Sequence, residues 1–102
     1  SAYVDLPVFD IGQSLTRYHI SLDVEDQPGV LAKVAQAFAD THVSIETVRQ
    51  HVRVHAGTGR ASANLVIVTH SATESALAAT VDALSSTDCV AEVVSVMRVE
   101  GA

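Results

Sequence analysis

Cysteine occurs once, at Cys89, and tryptophan not at all. One thiol rules out an internal disulfide, which fits a reducing compartment and a cytoplasmic protein. No Cys-x-x-Cys is possible either, so the metal-carrying versions of small mixed folds are disfavoured. His51 and His55 stand four apart, the spacing of a helical metal pair. They fall in a stretch that reads as strand, where solvated histidines are the plainer reading and no metal site is expected. Basic residues are scarce: six Lys and Arg against twelve Asp and Glu give a net charge of −6. That balance argues against nucleic acid and against an anionic membrane as main partners. Aromatics are only 4% of the chain. No run approaches the roughly 18 apolar residues of a membrane span, and no signal peptide is visible. The five glycines never form a Gly-x-Gly-x-x-Gly series, so no dinucleotide cofactor is expected within this chain.

What is present suffices for one domain. The chain has 102 residues, 48% of them hydrophobic and 18% charged. A domain of that size buries roughly two thirds of the surface of its unfolded chain. It opens on Ser1 rather than Met, and the expectation is a piece of something longer.

The chain is organised around Asp26-Gln27-Pro28-Gly29-Val30-Leu31. This stretch ends a strand, turns and starts a helix. Pro28 has φ fixed near the helical value and suits a first turn. Gly29 removes a side chain where a ligand can approach the backbone. Asp26 stands where a carboxylate can accept from the first free N–H groups. Those groups have no partner inside the helix and can also bind an anion. Two readings stand side by side: an ordinary capped turn, or a donor cluster beside a carboxylate that suits a zwitterion such as a free amino acid.

Residues 1–16 show no clean period and read as a linker or arm. Arg17 to Glu25 alternates Tyr18, Ile20, Leu22 and Val24 with His19, Ser21 and Asp23, which predicts a strand with one buried and one polar face. Val30, Leu31, Val34, Ala35 and Phe38 have helical spacing, with an end near Asp40-Thr41-His42. Val43 to His55 reads as a long strand. Its apolar parity switches between Ile45 and Val48, predicting a bulge near Glu46-Thr47. Ala56 to Arg60 reads as a hairpin turn. Ala63 to His70 is a third strand, apolar enough for a central position covered on both faces. Ser71 to Glu74 opens a second helix with a Ser or Thr cap, carrying Leu77, Val81 and Leu84. Asp88 to Val99 is a valine-rich fourth strand. Strand, helix, strand, strand, helix, strand predicts a ferredoxin-like α+β fold: a four-stranded antiparallel sheet with two helices on one face. Two helices leave part of the valine-rich strands uncovered, so symmetric pairing is expected, side by side through strands or helices.

The loop at Asp26 to Leu31, the helix with Phe38 and the strand start His42-Val43-Ser44-Ile45 together resemble the amino-acid-binding regulatory module called the ACT domain. Over residues 17 to 99 the chain is also similar to the regulatory tail of bacterial homoserine dehydrogenases. The matching segments are Arg17-Tyr18, Asp26 to Ala32, Val43 to Glu46, Leu65 to His70 and Ser95 to Val99. The resemblance implies a non-catalytic module (residues 17–102) behind a missing catalytic part that would use NAD(P). It implies feedback control by an end-product amino acid, most readily threonine, and a homodimer. By position it nominates Asp26, Gln27, Gly29, Val30 and Leu31, with Ser44 and Ile45, as ligand contacts. Two residues depart from the family pattern: His42 stands where glycine is usual, and Ser44 where asparagine is frequent. A module that serves only for dimerisation, or the tail of another enzyme such as aspartate kinase, stays open as an alternative.

An RNA-binding version of the fold needs aromatics on its central strands, and Ala63 to His70 has none. A small phosphatase version needs an arginine near the anion loop, and this loop has none, while Asp26 repels phosphate.

Overall fold

A computed structural model describes residues 15–54, 57 and 61–99. The chain forms β1 (Leu15–Glu25), α1 (Val30–Asp40), β2 (Ile45–Val54), β3 (Ala61–Thr69), β4 (Ala72–Thr73), α2 (Glu74–Ser85) and β5 (Val90–Val99). β1 pairs antiparallel with β3 on one side and β5 on the other, and β2 lies outside β3. This is the expected ferredoxin-like arrangement with one addition. The two residues of β4 pair with Leu15 and Thr16, so the predicted fourth strand is β5. Of the arm read into residues 1–16, all but Leu15 and Thr16 lies outside the described residues. So does the hairpin turn, apart from Gly57, whose φ of 85° is the positive value expected there.

The period-two pattern of β1 is realised directly. Tyr18, Ile20, Leu22 and Val24 are buried, and Ala63, Leu65, Ile67 and Thr69 of β3 line up on the same face. α1 lays Val30, Val34, Ala37 and Phe38 on that face, and α2 adds Leu77 and Leu84. Each fully buried large side chain contributes about 1.5–3 kcal/mol. Leu31 and Ala35, expected on this stripe, are exposed. They sit one position past Val30 and Val34, turned about 100° away, and Ala37 takes the place beside Phe38. The central position of β3 holds, but its double cover does not: Asn64, Val66 and Val68 are only half-buried on the far face.

Both helix ends follow from local chemistry. Thr73 caps α2, its hydroxyl accepting from Ala76 N–H at 3.0 Å, with Glu74 in the first turn. At the end of α1, Val43 N–H donates to Phe38 C=O at 3.0 Å and His42 N–H to Ala39 C=O at 3.1 Å. His42 has φ 62° between them, the left-handed turn that glycine usually makes. The substitution at His42 therefore leaves the helix ending intact. In β2, the pairing with β3 slips between Ile45 and Thr47, where the parity switch places a bulge.

The apolar surface expected to remain is there: Val48, Val52, Val94, Val96 and Met97 are exposed. On the face away from the helices, the Asn64 amide donates to Ser21 Oγ at 2.9 Å and Asp23 Oδ1 at 3.2 Å. Arg17 bonds Glu46 across the same face.

Candidate functional site

The turn from β1 to α1 is held by backbone bonds at both ends. Glu25 N–H donates to Cys89 C=O at 3.0 Å and Asp26 N–H to Ala61 C=O at 3.3 Å. These fix the end of β1 against β3 and the approach to β5. The chain then reverses through Pro28 and Gly29. Gly29, with φ 86°, is the N-cap of α1, and no side chain caps the helix. Two expectations are corrected here. Pro28 lies before the helix rather than in its first turn, and Asp26 does not cap it. The left-handed turn at Gly29 carries the backbone past Asp26 before the helix begins. A Cβ placed on Gly29 would meet nothing within 4 Å, so it is the backbone angle that calls for glycine.

Beside this helix mouth is a cavity of about 170 Å³, lined by β1 and its loop, Gly29, Val30 and Leu31 of α1, Leu65 of β3 and Gln50 of β2. Ligand sites for drug-sized molecules start at roughly 300 Å³, so this one suits a small metabolite. Of the nominated residues, Asp26, Gln27, Gly29, Val30 and Leu31 line it. Ser44 and Ile45 are not among its lining. The Ser44 carbonyl is engaged by His70 N–H at 2.9 Å, and Ile45 packs against the core. Glu25 and Gln50, which were not nominated, also line the cavity. Gln50 had a signal: beyond the bulge it lies between Val48 and Val52 on the parity that faces the helices, opposite Leu65.

The chemistry of the walls is mixed. Val30 N–H is already engaged by Gln27 C=O at 3.3 Å. The neighbouring amides of Gly29 and Leu31 face no capping side chain, at the end of a helix where the backbone dipole favours negative charge. Asp26 borders the cavity and is exposed without an ion pair among the described residues, whereas Glu25 alternates with buried Val24 and belongs to the sheet face turned away from the helices. The arrangement can take the negative end of a small molecule at the amides and its positive end at Asp26. It offers no nucleophile or general base paired with an orienting partner. Among the described residues no cluster of three His, Cys, Asp or Glu is placed to hold a metal ion. His51 is exposed on β2, and His55 lies outside the described residues. Among the described residues no helix is long and apolar enough to cross a membrane.

The chain is similar to known proteins over almost its whole length. Homoserine dehydrogenase of Mycobacterium leprae is 50% identical over 101 residues, covering 99% of this chain and 23% of that protein. Its counterpart in Corynebacterium glutamicum is 43% identical over 100 residues, 98% of this chain and 21% of the relative. The chain thus spans about a quarter of the length of these curated relatives. The crystal structure of a homoserine dehydrogenase from Thiobacillus denitrificans superposes with a TM-score of 0.69 at 26% identity, covering 93% of this chain and 19% of that one. The family model for the ACT domain matches residues 18–88, from Tyr18 in β1 to Asp88 just before β5, and the chain belongs to that family.

Proposed function

We propose that this chain is the C-terminal regulatory module of a homoserine dehydrogenase, and that the cavity at the mouth of α1 binds an end-product amino acid. Threonine is the first ligand to test. The observation that carries the reading is the uncapped start of α1, opening on a small cavity bordered by the acidic residue Asp26. The ligand carboxylate meets the amides of Gly29 and Leu31, and its ammonium meets Asp26. Charge-assisted hydrogen bonds of this kind contribute about 1.5–3 kcal/mol each. Affinity in the millimolar to micromolar range follows, about 4 to 8 kcal/mol. The catalytic groups and the NAD(P) site belong to the rest of a cytoplasmic parent enzyme.

The module works as a homodimer in this reading. β2 is an edge strand, and Leu31, Val48 and Val52 stand exposed close to the cavity. Side-by-side pairing there covers that strip and closes the cavity from outside. A ligand then controls the enzyme by favouring one arrangement of two modules. The effect is no larger than its difference in affinity between the arrangements.

Thermal melting of the chain against the twenty amino acids tests this. A ligand at 100 times its dissociation constant adds about 2.7 kcal/mol. Threonine should raise the melting temperature, and Asp26→Ala should abolish the shift while leaving the unliganded melt unchanged. No response to any of the twenty leaves an assembly module without a ligand, which the exposed Leu31, Val48 and Val52 by themselves support.

A further inference from the structure

The sheet face turned away from the helices carries its charge in two separated bands. Arg49 and Arg53 of β2 lie opposite Val66 and Ser62 of β3, on the parity that alternates with buried Leu65 and Ile67. Both arginines are exposed, and neither has an ion pair among the described residues. Glu25 of β1 also lies opposite Ser62, at the same level as Arg53. Glu92 of β5 lies opposite Asp23, one step along. β1 is two strands from β2 and β5 three, roughly 10 and 14 Å, too far for these groups to neutralise one another directly. Between the bands, half-buried Val66 and Val68 of β3 lie beside a polar cluster in which the Asn64 amide donates to Ser21 Oγ and Asp23 Oδ1, and on β5 Met97 is 53% exposed. In a chain with twice as many acidic as basic residues, this edge is locally basic.

We propose that this open face docks a second copy of the chain, sheet against sheet. A two-fold axis running along the strands, midway between two such faces, exchanges left and right but keeps the level along the strand. β2 of one copy then lies over β5 and β1 of the other. Arg49 and Arg53 meet the Glu25 and Glu92 band twice, once on each side of the axis. The Asn64–Asp23 clusters and the Val66 strips of the two copies meet in the middle, in the aligned packing that sheets adopt about 10 Å apart. The pattern is complementary to itself under that rotation, which is what an isologous contact requires. This surface is distinct from the exposed edge of β2, so both contacts can form in one assembly. It is independent of any ligand in the cavity.

Sedimentation equilibrium on the full 102-residue chain tests the proposal, at low salt and at high salt. The wild-type contact should weaken as salt rises. Arg49→Glu with Arg53→Glu places like charges over both bands, and Glu25→Arg with Glu92→Arg does the same with the opposite sign. Each variant alone should lose the contact, its dissociation constant rising about 100-fold or more. An equimolar mixture should restore it, because each variant then faces opposite charge at both sites. Where edge pairing also occurs, reversal halves the assembly instead of giving monomer. The acidic-band variant leaves β2 untouched, so retention of wild-type mass by it alone overturns the proposal. So does failure of the mixture to reassemble, or a wild type that shows no salt-sensitive association. Circular dichroism melts of both variants verify the fold, and Arg49→Gln with Arg53→Gln replaces a variant that fails to fold, with loss of salt sensitivity as its readout.

Discussion

The hydroxyls of Thr41 and Thr80 stand 2.5 Å apart, joining the end of α1 to the middle of α2. Thr80 is fully buried, and its hydroxyl also donates to Ala76 C=O at 2.8 Å. With one hydrogen on each hydroxyl, Thr41 is then the donor to Thr80, in place of the Ala37 C=O that lies 3.0 Å behind it. This is a polar seam inside an otherwise apolar helix pair, and it fixes how far one helix can slide along the other. Thr80→Val keeps the shape and removes the hydroxyl, so it should cost about 1 kcal/mol in a denaturant titration. Thr80→Ala adds a small cavity and should cost about 1 kcal/mol more. Equal stability of wild type and both variants would mean that the seam is idle.

His42 is a side chain in a glycine's conformation. Its φ of 62° costs an ordinary residue about 1–2 kcal/mol. Glycine removes that cost but gives back part of it through its freer unfolded chain. His42→Gly should therefore raise stability by up to about 1 kcal/mol, a few degrees in melting temperature for a domain of this size. His42→Val should lower stability, since a β-branched side chain tolerates this angle least. Melts of the three proteins should fall in the order Gly, His, Val.

Gly29 is subject to the same angle for a different reason. With open space around it, a substitution there is limited by the backbone alone. Gly29→Ala should cost about 1–2 kcal/mol, and Gly29→Asn less, because asparagine visits the left-handed region readily. The turn delivers the Gly29 and Leu31 amides to the cavity. Any ligand response should accordingly survive Gly29→Asn better than Gly29→Val when both are measured below their melting points.

The outline of this fold was legible because its signals are local. Tyr18 to Val24 alternate cleanly, the cap at Thr73 has its glutamate, and the bulge after Ile45 is written in a change of parity. What was not legible depended on how elements meet. Leu31 carries helical spacing with Val34 and Phe38 as well as Val30 does, and only the direction of the sheet decides which is buried. β4 is two residues that pair only because Leu15 and Thr16 run alongside. Asp26 looks like a cap until Gly29 turns the backbone past it. Of the nominated residues, those of the loop line the cavity together, since a loop next to a helix start is contiguous in sequence. Ser44 and Ile45 precede the bulge and lie outside the cavity's lining, and it is the later Gln50 that the strand brings to it.

Gln50 allows the ligand's chemistry to be asked directly. It lies on the edge strand with its side chain exposed and lining the cavity, so Gln50→Leu should leave the fold and its melting temperature nearly unchanged. Its amide can donate and accept, which suits a hydroxyl on the ligand's side chain. If threonine sits with its carboxylate at the α1 amides, losing one such hydrogen bond should weaken it by about 1–1.5 kcal/mol, roughly tenfold. Valine has the same shape and no hydroxyl, so its affinity should hardly change between wild type and Gln50→Leu. Calorimetric titration of both amino acids into both proteins closes this cycle. A threonine preference that vanishes in Gln50→Leu places the ligand's hydroxyl against β2. A preference that survives unchanged places the hydroxyl elsewhere and removes Gln50 from recognition.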